Sequence, residues 1–199
     1  TQKEHIAHIT LNRPEASNII NQQLAQELED VCRQINQDND IYVVIITGAG
    51  DRVFCGGSEL ESSQSSGRYS AATAIASIDQ PVITAINGEV LGAGLELALS
   101  CDIRLASSEA KFSFPQVAMG LIPMDGGTQR LPRLVGKGKA LELILTAETI
   151  NAEEALAIGL LNKVVAKGEL AAEAEVMAKT MTTKGPIALR YAKETVNKG

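Results

Sequence analysis

The chain has 199 residues, 45% of them hydrophobic, and a formal net charge of −6, which is enough apolar material for one well-buried globular domain and too much for a disordered chain. No run of about 18 apolar residues is available to span a bilayer, and no basic start followed by an apolar segment marks secretion. With no lysine or arginine block and only 3% aromatic residues, there is little to track phosphates or stack bases. A membrane and a nucleic acid are therefore not expected partners, and a cytoplasmic location is expected. Cys32, Cys55 and Cys101 lie too far apart for a CxxC metal or redox pair, so they are expected to be reduced and structural, with no metal site.

In chain order, His5 to Leu11 alternates, with Ala7, Ile9 and Leu11 on one side, which predicts a half-covered strand. His5 and His8 then face opposite ways and do not suit a metal pair. Arg13 to Asn18 reads as a loop. Leu24, Leu28, Val31, Cys32 and Ile35 recur at helical spacing behind Asn21, a sensible N-cap. Ile41 to Thr47 is a nearly continuous β-branched run, predicting a central parallel strand covered on both faces. Gly48 to Asp51 is a turn.

Val53-Phe54-Cys55 then runs into Gly56-Gly57. That pair is either a plain turn between strand and helix or a place where a backbone N–H near Ser58 approaches a ligand; spacing leaves both open. Glu61 to Ser70, with five serines, reads as a mobile loop. The stretch Val82 to Arg104 organises the rest. Val82 to Ile86 predicts a buried strand, Asn87-Gly88 a turn, and Gly92-Ala93-Gly94 a helix start whose first N–H groups and positive dipole end suit an anion. The same glycines also permit close packing with no ligand. Glu96 sits in the first turn among Leu95, Leu97, Ala98 and Leu99, and a buried carboxylate needs a reason. The dinucleotide fingerprint fails, because Leu97 stands where its third glycine belongs.

Further on, Asp102 to Ala106 and Lys111 to Phe114 predict short strands, followed by a loop from Gly120 to Gly127. Leu141, Ile144 and Leu145 mark a helix. Asn151 to Glu154 resembles a capping box ahead of a short helix ending at Gly159. Leu170, Ala174, Met177 and Met181 mark another, and Gly185-Pro186 starts the last, with Ile187 and Tyr191 on one face. Strands come early and helices late, an α/β class with βαβ-like repeats and a helical C-terminal part. Residues 1–185 are read as the core and 186–199 as the start of a C-terminal helical region.

Five motifs occur in order: LNRPEASN, VVIITGAGDRVFCGGSEL, AINGEVLGAGLELALSCDIRLAS, GLIPMDGGTQRLPRLVG and AEEALAIGLLNKVV. Through them the chain resembles, nearly end to end, the crotonase or enoyl-CoA hydratase/isomerase superfamily. The resemblance implies a spiral of ββα units that binds an acyl-CoA thioester and holds its carbonyl oxygen between two backbone N–H groups. Matched position by position, those donors are Ser58 and Ala93, and Glu96 is the first catalytic carboxylate. Gly57, Glu59, Leu60 and Gly92 line the substrate. Arg52 is either a partner for the phosphates of coenzyme A or a solvated turn charge. Coenzyme A is part of the substrate, so no separate cofactor is implied. Relatives continue past Gly199 through helices that pack between subunits, so a homotrimer or hexamer is implied and the chain is expected to be truncated.

Two positions depart from the hydratase pattern. Where hydratases carry a second glutamate after the proline of an FGQPE-like segment, this chain has Pro115-Gln116, and an amide cannot take a proton. Some relatives place a carboxylate in the next loop. The matching residue here is Met124, and Asp125, one residue later, is an additional candidate whose reach the sequence leaves open. The expected activity is that of a hydratase-like lyase in which Glu96 moves protons and Gln116 orients water. The alternatives are a single-glutamate double-bond isomerase or other CoA-ester lyase or hydrolase, and a non-catalytic acyl-CoA-binding subunit.

Overall fold

The computed structural model describes residues 1–59 and 70–199; Leu60 and all but the last residue of the serine-rich loop lie outside the described residues. Two sheets form. In the larger, β2 (Ile6–Leu11), β3 (Val43–Gly48), β5 (Val82–Ile86), β7 (Ile103–Ser107) and β10 (Lys163–Val165) run parallel side by side, with β1 (Gln2–Lys3) antiparallel at the edge. In the smaller, β4 (Val53–Cys55), β6 (Glu89–Leu91) and β8 (Lys111–Ser113) run parallel, and β9 (Ile150–Asn151) closes the edge antiparallel. Three strands of the large sheet, β3, β5 and β7, each hand the chain to one of the small sheet and then to a helix. The units are β3-β4-α2 (Ala71–Ala76), β5-β6-α3 (Ala93–Ser100) and β7-β8-α4 (Gly127–Val135). This is the ββα spiral expected.

The β-branched run of β3 shows no alternation because both its faces are covered. Val44 and Ile46 join the main core with Leu24, Leu28, Phe54 and Leu97. Val43 and Ile45 join a second core closed by Leu170, Ala174 and Ala178 of α7 (Leu170–Thr182). Each such fully buried side chain stabilises the fold by roughly 1.5–3 kcal/mol. The same helix changes the reading of β2, whose second face is more covered than expected. Ile6 is buried in the second core, and His8 Nε2 meets Glu175 of α7 at 3.2 Å. His5 instead stacks on Tyr42, ring centroids 4.3 Å apart, with Nδ1 2.8 Å from the carbonyl of Asp40.

Asn21 caps α1 (Gln22–Gln37), its side chain accepting from the Leu24 N–H at 2.9 Å, and both bonds of the capping box form at α6 (Ala152–Ala157). The helix over Leu141 to Leu145 is α5 (Lys137–Thr146). One helix departs from the sequence reading. The loop from Gly120 ends at α4, which contains Pro132, a residue that normally signals a break. Pro132 is the sixth residue of α4, where it removes one ladder bond and crowds the preceding turn, and the helix forms despite it with Leu131 fully buried. The last helix, α8 (Pro186–Lys198), is tied to the core by Lys193, whose ammonium meets Asp102 at 2.8 Å and donates to the carbonyl of Gln80 at 2.9 Å. All three cysteines are free and buried, and burial pushes the Cys32 and Cys101 thiols up to about 12. Among the described residues no helix is long and apolar enough to cross a membrane.

Candidate active site

The small sheet positions the site. Cys55 pairs with Val90, Val90 with Phe112 and Leu91 with Ser113, all in parallel register. The segments that leave β4, β6 and β8 at their carboxyl ends therefore emerge side by side: Gly56 to Ser58, Gly92 to Glu96, and Phe114 to Gln116. Crevices at the carboxyl ends of parallel strands are where open α/β sheets bind ligands.

The first two segments are glycine turns. Gly57 has φ +119° and Gly92 φ +51°, conformations that L side chains rarely adopt. Around Ser58 the chain is held by Ile20, whose N–H donates to the Gly57 carbonyl at 2.9 Å and whose carbonyl accepts from the Glu59 N–H at 2.9 Å and the Ser58 hydroxyl at 3.1 Å. The Ser58 side chain is thus turned toward the scaffold. On the second turn, Gly92 donates to the Ser113 carbonyl at 3.0 Å, and Ala93 is the first residue of α3. A Cβ on Gly94 would lie 2.4 Å from the Cys55 carbonyl oxygen, so α3 sits directly on β4 because residue 94 has no side chain. Close packing and a helix start presented at the crevice are thus properties of the same glycines.

Glu96 lies one helical turn beyond Ala93 and is 1% exposed. Its Oε1 accepts from the backbone N–H groups of Asp125 and Gly127, both at 2.7 Å. Charge-assisted bonds of this kind compensate a buried carboxylate for its lost water. Gln116 is fully buried in a short 3-10 turn over Pro115–Met119, and its main-chain carbonyl accepts from the Leu121 N–H at 2.9 Å. Asp125 divides its bonding. Its main chain reaches Glu96, while its carboxylate accepts from the Ser70 hydroxyl and from the Ala72 N–H at 3.0 Å, at the start of α2.

A family model described as enoyl-CoA hydratase/isomerase matches residues 1–199. The chain belongs to the enoyl-CoA hydratase/isomerase family. It is 42% identical over 208 residues to the putative enoyl-CoA hydratase/isomerase YngF of Bacillus subtilis, covering 100% of this chain and 80% of that one. It is 42% identical over 204 residues to a short-chain-enoyl-CoA hydratase of Clostridium acetobutylicum, covering 98% of this chain and 78% of the relative. The crystal structure of an enoyl-CoA hydratase from Bacillus anthracis superposes with a TM-score of 0.91 at 39% identity, covering 99% of this chain and 80% of that one.

Three further residues belong to the surroundings of the site in this enoyl-CoA hydratase/isomerase. Asn18, which the sequence reading passed over as part of a loop, is fully buried with φ +53°. Its Nδ2 donates to the carbonyls of Ala49 at 3.0 Å and Val53 at 2.9 Å, and its Oδ1 accepts from the Arg13 N–H at 3.0 Å. Its own carbonyl accepts from the Cys55 thiol at 3.2 Å, so one asparagine pins the loop before Ile20 to β4. The available signal was an asparagine in a loop, a residue type that tolerates left-handed backbone and bonds locally. Arg52, in contrast, precedes β4 and so stands at the other end of that strand from Ser58. It lines a surface groove with Asp51, Glu109, Lys111 and Lys167. Glu59 is ion-paired with Arg13 at 3.2 Å on the outer side of the turn.

Proposed function

We propose that this enzyme hydrates a short 2-enoyl-CoA thioester, with Glu96 as the proton-handling group. The observation that carries the reading is the meeting of two glycine turns with a buried, backbone-braced glutamate one helical turn past the second. The N–H groups of Ser58 and Ala93 are assigned to the thioester carbonyl oxygen, where negative charge develops as water attacks C3. One donor of that kind is worth about 3–4 kcal/mol in the transition state. Proton transfer falls to the Glu96 carboxylate. It accepts a proton from the attacking water as the C3–O bond forms, and a proton is returned to C2 as the enolate collapses, so that H and OH add across the double bond. Gln116 orients the water through its amide. The short-chain specificity of the Clostridium acetobutylicum relative supports a short acyl group. No cofactor beyond the coenzyme A of the substrate is required, and a cytoplasmic homotrimer or hexamer is part of the proposal.

The amide at position 116 favours one second reading. Moving a double bond from 3-enoyl to 2-enoyl needs a single base that carries a proton between carbons, and Glu96 alone supplies it. Absorbance assays of 2-enoyl- and 3-enoyl-CoA thioesters separate the two. The expected result is hydration of crotonyl-CoA. Conversion of 3-enoyl-CoA to 2-enoyl-CoA with no hydration would replace the first reading by the second, and no turnover of either with tight acyl-CoA binding would leave a binding subunit.

A further inference from the structure

The loop from Gly120 to Gly127 carries no ladder of its own, and two of its glycines, Gly120 and Gly126, have positive φ. Its path must come from elsewhere. Asp125 holds it from three sides: its N–H donates to Glu96 Oε1, its carbonyl accepts from Arg130 Nη1 at 2.8 Å, and its carboxylate accepts from Ser70 and Ala72. Helix α2, which the carboxylate grips, packs against α3, which carries Glu96. The bonds therefore close a circuit from α3 through the loop to α2 and back to α3. A carboxylate at the start of α2 also meets the positive end of that short helix.

We propose that Asp125 is a positioning residue: its side chain fixes the loop to α2, and the loop in turn sets the place of the Glu96 carboxylate through the N–H groups of residues 125 and 127. The inference rests on reading Glu96 as the proton-handling group. It assigns Asp125 no contact with substrate, so its removal acts on the chemical step and leaves binding alone. A misplacement of about 1 Å in a reacting group can lower a rate by up to about 100-fold.

The test is a kinetic cycle on the full chain. Asp125→Ala keeps the backbone N–H but removes both side-chain bonds, and a kcat loss of about 10- to 100-fold is expected with the KM for crotonyl-CoA nearly unchanged. Asp125→Asn can still accept from the Ala72 N–H and should recover most of that loss. In a Glu96→Gln background, measured at high enzyme concentration, Asp125→Ala should add little, because the group it positions is gone. Wild-type kcat in Asp125→Ala, an equal loss in both backgrounds, or an Asn variant as impaired as Ala would overturn the inference. If the Glu96→Gln rate is too low to read, the split between kcat and KM together with the Asn recovery decides. If Asp125→Ala folds poorly, Ser70→Ala replaces it, with a smaller kcat loss expected and unchanged kcat overturning the proposal. Full turnover by Glu96→Gln alone would instead remove the reading of Glu96 and leave the loop geometry as it is.

Discussion

The two ends of the small sheet are built on different physical terms. At the carboxyl ends of β4, β6 and β8 a Cβ on Gly94 would collide with backbone, Glu96 and Gln116 are buried, and the Glu96 carboxylate, the Ser58 hydroxyl and the Gln116 main-chain carbonyl meet backbone partners at 2.7–3.1 Å. At the other end, Arg52, Lys111 and Lys167 line an open groove with Asp51 and Glu109, and Lys167 shares its charge between Glu109 at 2.9 Å and Asp51 at 3.7 Å. Lys167 is held above its usual pKa first by its bond to Glu109, yet the group stands in water, where such pairs are screened. A desolvated polar arrangement has no substitute for a lost partner, whereas water replaces a lost surface partner at once. Sensitivity to substitution should therefore be concentrated at one end.

The largest effect expected is from Glu96→Gln, which keeps the shape and removes the ionisable group. Turnover should fall by about 10²–10⁴-fold while acyl-CoA binding and the melting temperature are kept. Steady-state kinetics on enoyl-CoA and a binding titration check it, and an unchanged rate would remove Glu96 from the mechanism.

Next comes Ala93→Pro. Proline is tolerated at the first position of a helix, and Gly92 before it has the freedom to accept it, so the change deletes one N–H with little disturbance. The expected loss is about 10²–10³-fold in kcat. A folded variant of normal activity would mean that the oxyanion donor lies elsewhere.

Gln116→Glu should act in the opposite direction. A second carboxylate beside the bound water should raise crotonyl-CoA hydration by at least about tenfold, the low end of what one acid–base group supplies. Two neighbouring carboxylates raise one another's pKa, so the gain is read from a pH–rate series on both variants rather than at one pH. No gain at any pH, in a wild-type chain that isomerises 3-enoyl-CoA, would assign Gln116 to an isomerase site.

The smallest effect belongs to the other end of the sheet. Lys167→Ala should leave kcat unchanged and move the melting temperature by less than about 2 °C, with any shift vanishing in high salt. A large loss of activity would show that the groove is coupled to the crevice and would break the contrast between the two ends.

Much of this was legible along the chain because its causes are local. Asn21 and the Asn151–Glu154 pair cap helices by bonds that span three residues, and the β-branched run of β3 carries its double burial in its composition. The turn glycines and the buried Glu96 are equally local, since a positive φ and a carboxylate among leucines can be read within a few positions. The substitution at Gln116 was visible by resemblance alone, because nothing in its neighbours says that a second carboxylate belongs there. Tertiary structure decided the remainder. The parallel register of β4, β6 and β8 sets three segments spaced over about 60 residues of sequence side by side, and no local periodicity encodes which strand pairs with which. Asn18 serves Ala49, Val53 and Cys55, more than 30 residues away, so its role exists only once β4 is in place. No helix was expected over 127–135, yet α4 forms there with Pro132 inside it and Leu131 buried. Asp125 could have turned toward the crevice or toward α2; the hydroxyl of Ser70 and the N–H of Ala72, 55 and 53 residues earlier, offered its carboxylate the partners that settled its direction.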